Sequence, residues 1–197
     1  QDRNLGPAEA ASVCDFLTMH GYPIYAAWAD GPTDEHLLGF LTEITRWLGG
    51  GADVMFSEFG LPTYRVEQHP GGRPGDLLVD EECAARYTDR ALHALRAAGA
   101  TGAMLWCDSD YDAAIWHDPP LDHAAHERTF GLWRADGSPK PSVSAVSAHV
   151  GQDRVVAADD RRWIDIDPTE LHVDVGSHLP RLYSRYRAAL SATPAIG

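Results

Sequence analysis

Short apolar segments alternate with helical patterns along the chain, and this order constrains the fold more than any other feature. The apolar segments lack the clean alternation of a half-exposed strand, which is typical of strands buried on both faces. Strands that alternate with helices predict a parallel sheet covered by helices. The predicted strands lie within 14–25, 53–57 and 102–107, and the predicted helices are 33–51, 80–99 and 141–149. We therefore expect an α/β fold built from βα units.

The ends of the predicted helices follow ordinary capping chemistry. Thr33 or Asp34 is expected to cap the first helix, because short polar side chains accept the unpaired N–H groups of a first turn. The run Gly49–Gly51 ends that helix, and Gly99 ends the second one. These boundaries leave long loops after the strands, such as the Pro/Gly-rich loop 67–76. Long loops inside compact domains are often functional.

Composition excludes several classes of protein. The chain has 197 residues, of which 44% are hydrophobic and 23% charged, and its formal net charge is −13. Nucleic-acid binding requires a basic surface, so we expect no nucleic-acid partner. No apolar run approaches the roughly 18 residues of a membrane-spanning helix, so we expect no membrane partner. The odd, widely spaced cysteines argue against a disulfide framework, and we expect all of them to be buried thiols, namely Cys14, Cys83 and Cys107.

The chain divides into two parts by composition. Residues 1–150 carry the βα pattern, whereas residues 151–197 have a different character. We expect the second part to be an extension that packs on the outside of the first. Its predicted helix has one apolar face, formed by Leu179, Leu182, Tyr183 and Tyr186.

Polar and aromatic residues stand where each predicted strand finishes. The first strand ends in His20 and Tyr22, the second in Glu58, and the third in Trp106. Ligands bind at the carboxyl ends of parallel strands, so these residues are candidates for one site. Glu58 lies between two phenylalanines in the sequence "FSEFG". A partly buried carboxylate needs donors arranged around it, as an enzymatic nucleophile does. Gly60 is expected to let the backbone turn tightly after this carboxylate.

Three motifs together resemble a known family. "FSEFG" after a helix, "HGY" one unit earlier and a tryptophan one unit later look like the last three units of a clan A, family 5-like glycoside hydrolase. Residues 127–141, "ERTFGLWRADGSPKP", are similar to the segment that follows the eighth strand of such enzymes. The resemblance covers roughly residues 14–149. It implies the C-terminal portion of a (β/α)8 TIM barrel, with its sixth to eighth strands and their helices.

The resemblance implies a role for each residue at the strand ends. Glu58 matches the nucleophile of a retaining β-glycosidase, and Trp106 matches the tryptophan that forms the floor of the −1 subsite. His20 and Tyr22 match the pair that orients the nucleophile and the substrate. The loop after the third strand is expected to line the substrate cleft, with Asp108 or Tyr111 touching sugar hydroxyls. Trp116 lies in a loop on the same presumed side, where its aromatic ring could hold the apolar face of a sugar. The implied partner is an oligosaccharide or β-glycoside, and no cofactor or metal is implied.

The chain departs from the family in one important respect. A retaining glycosidase needs two carboxyl groups about 5–5.5 Å apart. The family's acid/base glutamate follows an asparagine, and no Asn-Glu pair occurs in this sequence. A full barrel takes about 250 residues, and here only about 150 are barrel-like. We therefore expect the chain to act only when the N-terminal part of the barrel completes it; a stable monomer with no tendency to pair would contradict this.

Other functions remain open from the sequence. A carbohydrate-binding or inactive barrel remnant would keep the sugar-contacting residues and lack the acid/base. A metal-dependent TIM-barrel hydrolase is another alternative, for which His117, His123 and His126 share one loop. The Asp-x-Asp-x-Asp spacing at 108–112 lacks the glycine and glutamate of a calcium loop. The sequence leaves the sugar, exo or endo action, and a cytoplasmic or secreted location undetermined.

Overall fold

The computed structural model describes residues 6–65, 77–156 and 161–192, so the loop 67–76 lies outside the described residues. The helices are α1 (Pro7–Ala11), α2 (His36–Leu48), α3 (Glu81–Ala97), α4 (Pro141–Ser147), α5 (Pro168–Val173) and α6 (Val175–Ala192). The strands are β1 (Leu17–His20), β2 (Val54–Phe59), β3 (Thr63–Tyr64), β4 (Val79–Asp80) and β5 (Ala103–Leu105). Short 3₁₀ helices cover Pro23–Tyr25, Ala113–Ile115 and Ala125–Thr129.

A parallel sheet forms the centre of the fold, with the strand order β1-β2-β5. Helices α2 and α3 follow β1 and β2 in the chain, so the predicted βα order and parallel pairing are confirmed. Two short strands that the sequence pattern did not predict, β3 and β4, form a second parallel pair beyond the end of β2.

Among the described residues, helices cover one face of the central sheet and leave the other uncovered. Leu17, Val54 and Phe56 are buried on that face, against the core formed with α2 and α3. The alternate residues Thr18 of β1 and Met104 of β5 are exposed, and 51% of the Met104 surface is accessible. Strand residues alternate between faces, so the second face lies open in the described residues.

The start of α2 differs from the sequence prediction. Its N-cap is Glu35, not Thr33 or Asp34, and no side chain caps the helix. Asp34 is buried because its carboxylate accepts hydrogen bonds from the Asp30 N–H and the Tyr183 hydroxyl. The Asp34 side chain therefore contacts the C-terminal helix α6 instead of capping α2.

The other helix ends match their sequence signals. The N-cap Asp80 accepts a hydrogen bond from the Cys83 N–H at the start of α3. Gly99, two residues beyond that helix, has a φ of +72°, as glycine does after a helix end. The run Gly49–Gly51 ends α2 as predicted.

The C-terminal helix packs against α2 through its aromatic face. Leu182, Tyr183 and Tyr186 are buried, and Leu179 is partly buried against the same core, which confirms the predicted apolar face. The Tyr183 ring lies 5.1 Å from that of Phe40 between centroids. The boundary between residues 1–150 and 151–197 stays a prediction, since side chains from both parts share one apolar cluster.

The prediction that all cysteines are buried is wrong for Cys14. Cys14 is exposed because it lies between α1 and β1, outside either element. Cys83 and Cys107 are half-buried, and all of the cysteines are free thiols. Separately, no helix in the described ranges combines the length and apolar character that crossing a membrane requires.

Candidate functional site

The structure brings His20, Tyr22 and Glu58 together at the carboxyl end of the central sheet. The Tyr22 hydroxyl donates a hydrogen bond of 2.9 Å to Glu58 Oε2. His20 Nδ1 lies 3.2 Å from the same oxygen, within hydrogen-bonding distance. Within the described residues, Glu58 Oε1 accepts no hydrogen bond. In the described residues, the carboxylate is thus held through one oxygen only.

An extra residue in β2 turns Glu58 toward the open face of the sheet. Val54 and Phe56 point into the core, so strict alternation would also bury residue 58. The strand register shifts after Phe56, because Phe56 pairs with Met19 whereas Glu58 pairs with His20. Phe59, not Glu58, is then the next core residue. Such a bulge redirects a side chain, and here it places a carboxylate beside an exposed histidine.

Two glycines allow close approaches around this carboxylate. A Cβ on Gly21 would lie 2.8 Å from the Phe56 ring, and one on Gly60 would lie 2.3 Å from the Trp106 carbonyl oxygen. The expectation that Gly60 provides a tight turn is wrong, because the backbone runs from β2 to β3 without a turn at residues 60–62. Gly60 is instead required because the ends of β2 and β5 approach closely there.

An aromatic cluster surrounds the Tyr22 side of the site. The Tyr22 ring lies 5.7 Å from that of Tyr25 and 5.8 Å from that of Phe130. Burial, followed by the hydrogen bond to Glu58, raises the pKa of Tyr22 well above its ordinary value. The Tyr22 hydroxyl therefore stays protonated and remains a donor at neutral pH.

A second glutamate lies next to this cluster and was missed by sequence reasoning. The Tyr25 hydroxyl donates a hydrogen bond of 3.2 Å to Glu127 Oε1. Burial, with the nearby Glu127 charge, raises the pKa of Tyr25 to about 12. Tyr25 and Glu127 are 102 residues apart, so no local motif joins them. The only sequence signal was that both follow predicted strands on the same side of the sheet.

Trp106 and Asp108 follow directly after β5, the strand next to that of Glu58. The backbone N–H of Trp106 donates a hydrogen bond of 2.8 Å to the backbone carbonyl of Phe59, the residue after Glu58. The peptide bond between Trp106 and Cys107 is cis. Asp108 is exposed, and its carboxylate accepts a hydrogen bond from the Ser109 hydroxyl. Both residues thus lie on the expected side of the sheet, and their contacts with a sugar stay predictions.

Trp116 lies apart from the Glu58 site. Its indole N–H donates to the Tyr111 carbonyl, and the Arg128 guanidinium lies 5.1 Å from the centre of its ring. Trp116 lines a cavity of about 520 Å³, together with Tyr64, Arg128 and Arg134 among others. His20, Tyr22, Glu58 and Trp106 do not line this cavity. Trp116 therefore lines a different cavity from the Glu58 site, and its contact with a sugar stays a prediction.

A buried ion pair stabilises the loop that carries these residues. Lys140 Nζ donates to Asp110 Oδ1 at 2.6 Å, and also to the Thr63 hydroxyl and the Thr129 carbonyl. Burial raises the pKa of Asp110 and lowers that of Lys140, so each partner depends on the other to remain charged. Asp110, the middle aspartate of the Asp-x-Asp-x-Asp sequence, is thereby already paired with Lys140.

The loop histidines lie beside acids that neighbour them in sequence. His117 pairs with Asp118, His123 with Asp122 and His126 with Glu127, at 3.2–3.4 Å. In the described part of the chain, none of these histidines belongs to a group of three donor side chains close enough to share a metal ion.

Comparison with known proteins gives a fold class. No family model and no curated protein matches the chain. Among solved structures, the chain is similar to GH5_18 glycoside hydrolases. GH5_18 from Bifidobacterium longum subsp. longum is 17% identical with a TM-score of 0.59, covering 91% of this chain and 49% of that one. GH5_18 from Streptomyces cattleya in complex with GlcNAc is 20% identical with a TM-score of 0.57, covering 93% and 40%.

A third structure adds a bound disaccharide. A variant of the Streptomyces cattleya GH5_18 in complex with Manβ1-4GlcNAc is 20% identical with a TM-score of 0.56, covering 79% of this chain and 35% of that one. At this identity, the likeness shows the fold alone. The chain has a glycosidase-like α/β fold with parallel sheets and spans less than half the length of these enzymes. The predicted fold is confirmed at that level, and the individual residue roles stay predictions.

Proposed function

We propose that this chain forms the nucleophile-bearing part of a retaining β-glycosidase. Glu58 is the nucleophile, His20 and Tyr22 position it, and Trp106 forms the floor of the sugar site. The observation that carries the proposal is the Glu58 carboxylate, held through Oε2 by Tyr22 and facing His20 at the end of a parallel strand. The glycosidase-like fold supports it.

The proposed reaction proceeds in two steps. Glu58 Oε1 attacks the anomeric carbon, and the bond to the leaving-group oxygen breaks as an acid/base carboxyl protonates that oxygen. The same acid/base then takes a proton from water, which displaces Glu58 and regenerates the carboxylate. Glu58 loses its negative charge when the glycosyl ester forms and regains it when the ester is hydrolysed. The Tyr22 hydrogen bond holds the carboxylate in place through both steps.

The acid/base belongs, in this proposal, to the N-terminal part of the same barrel. The chain spans 40–49% of two similar enzymes, and one face of its central sheet is open. A retaining pair of carboxyl groups is about 5–5.5 Å apart, so the partner carboxyl must approach Glu58 from across that open face. The substrate is a β-glycoside, and Manβ1-4GlcNAc is the first to test because a similar enzyme holds it.

The test uses this chain completed by its upstream barrel segment. Glu58→Gln and Glu58→Ala are compared with Glu82→Gln, an exposed glutamate on α3. We expect both Glu58 variants to lose about 10³-fold or more in turnover of Manβ1-4GlcNAc, or of another β-glycoside that the parent hydrolyses, while still binding it. The Glu82 variant should match the parent.

Two results would contradict the proposal. Parent-like turnover in both Glu58 variants would remove Glu58 from the mechanism. Sugar binding without turnover in the completed parent enzyme would instead support a carbohydrate-binding remnant.

A further inference from the structure

A group of potential metal ligands lies on the helical side of the molecule, away from the Glu58 site. Asp89 and His93 are one turn apart on α3, and His149 follows α4. One donor atom from each side chain lies within 4.8 Å of the other two. Asp89 and His149 are 60 residues apart in sequence, so no spacing motif reveals this group.

The distances suit a small divalent ion. His149 Nε2 lies 2.9 Å from Asp89 Oδ1, and His93 Nε2 lies 3.8 Å from the same oxygen. Two ligands on a tetrahedral zinc ion, each about 2.0–2.1 Å from it, are about 3.3 Å apart. The observed values bracket that separation. Small rotations of the side chains would therefore place all of the donors around one ion.

Within this group of three side chains, one is nearly buried and two are exposed to solvent. The His149 side chain is only 10% exposed, whereas the His93 side chain is 62% exposed and that of Asp89 47%. The planes of the two imidazole rings differ by 72°, with centroids 4.6 Å apart, so the rings are not stacked face to face. The exposed side leaves room for a water molecule as a fourth ligand. Two imidazoles and a carboxylate are ligands that zinc accepts.

We propose that Asp89, His93 and His149 bind a divalent transition metal ion, with Zn²⁺ as the reference ion. The ion joins the middle of α3 to the end of α4 and stabilises their packing. This site is separate from Glu58, and it stands whether or not the chain is a glycosidase.

The test is a calorimetric titration with ZnCl₂ of the purified, untagged chain completed by its upstream barrel segment, together with thermal unfolding in Zn²⁺ and in EDTA. We expect one Zn²⁺ per chain and a higher melting temperature with Zn²⁺. His93→Ala and Asp89→Asn should each weaken binding by about tenfold or more, because a ligand is lost. His123→Ala is the matched control, since His123 is an exposed histidine that also pairs with an aspartate.

His93→Ala changes an exposed side chain, so loss of folding does not confuse the result. Absence of Zn²⁺ binding by the parent chain would overturn the proposal. So would parent-like binding by both His93→Ala and Asp89→Asn, or a loss of binding in His123→Ala alone. In those cases the contact between His149 and Asp89 serves only to join the helices.

Discussion

At the scale of single residues, the account depends on how Glu58 is held. Tyr22 donates to one carboxylate oxygen, and His20 approaches the same oxygen. This asymmetry distinguishes Glu58 from an ordinary acid at a strand end, which water would solvate on both oxygens. In the proposed function, a carboxylate held at one oxygen is oriented so that the other can attack, as a nucleophile requires.

The contribution of Tyr22 can be measured directly. A hydrogen bond to a charged group is worth about 1.5–3 kcal/mol, so Tyr22→Phe should lower kcat/KM of the completed enzyme by about 10- to 150-fold. Tyr186→Phe is the control, because within the described residues its hydroxyl makes no hydrogen bond. Steady-state kinetics on the two variants give the comparison. Equal losses in both would show that Tyr22 acts only through packing.

The sequence predicted which residues stand at the site but not how they meet. His20, Tyr22 and Glu58 follow strands, so their common edge was predictable from a parallel sheet. The contact of Tyr25 with Glu127 was not predictable, because it joins loops 102 residues apart. Asp34 was assigned to a local cap because capping is a local rule, whereas the contact that uses this side chain comes from α6.

At the scale of elements, the bulge in β2 decides which face Glu58 occupies. Alternation from Val54 and Phe56 would bury residue 58, and the only sequence sign to the contrary is the apolar Phe59 that follows it. The shift appears in the pairing with both neighbouring strands. A bulge of one residue cannot be read from a short apolar run, so the sequence indicated the strand and not its irregularity.

Because β2 and β5 approach closely at Gly60, we expect a single added methyl group there to lower the stability of the fold. Gly60→Ala places a Cβ 2.3 Å from the Trp106 carbonyl oxygen, so the strand ends must move apart. We expect a loss of about 1–3 kcal/mol in the free energy of unfolding, measured by urea denaturation. Gly102→Ala is the matched control, because its Cβ would meet no atom within 4 Å. A similar loss in both variants would contradict this interpretation of Gly60.

At the scale of the whole molecule, the described residues give the central sheet one covered face and one open face. The covered face packs on α2 and α3, and α6 packs on α2. The open face ends in His20 and Glu58. The likeness to glycoside hydrolases at less than half their length agrees with a portion of a barrel whose remaining strands would cover that face. The lack of an Asn-Glu pair in the sequence predicts a missing acid/base part of the barrel, and that part stays a prediction.

The most direct test of the central claim is to trap the covalent intermediate. The completed enzyme is incubated with an activated 2-deoxy-2-fluoro β-glycoside of a sugar that it hydrolyses, and then digested and analysed by mass spectrometry. The account predicts one added sugar on the peptide containing Glu58, because a retaining nucleophile forms a glycosyl ester. An active enzyme that carries the sugar on another residue, or that releases a product of inverted configuration without an adduct, would contradict it.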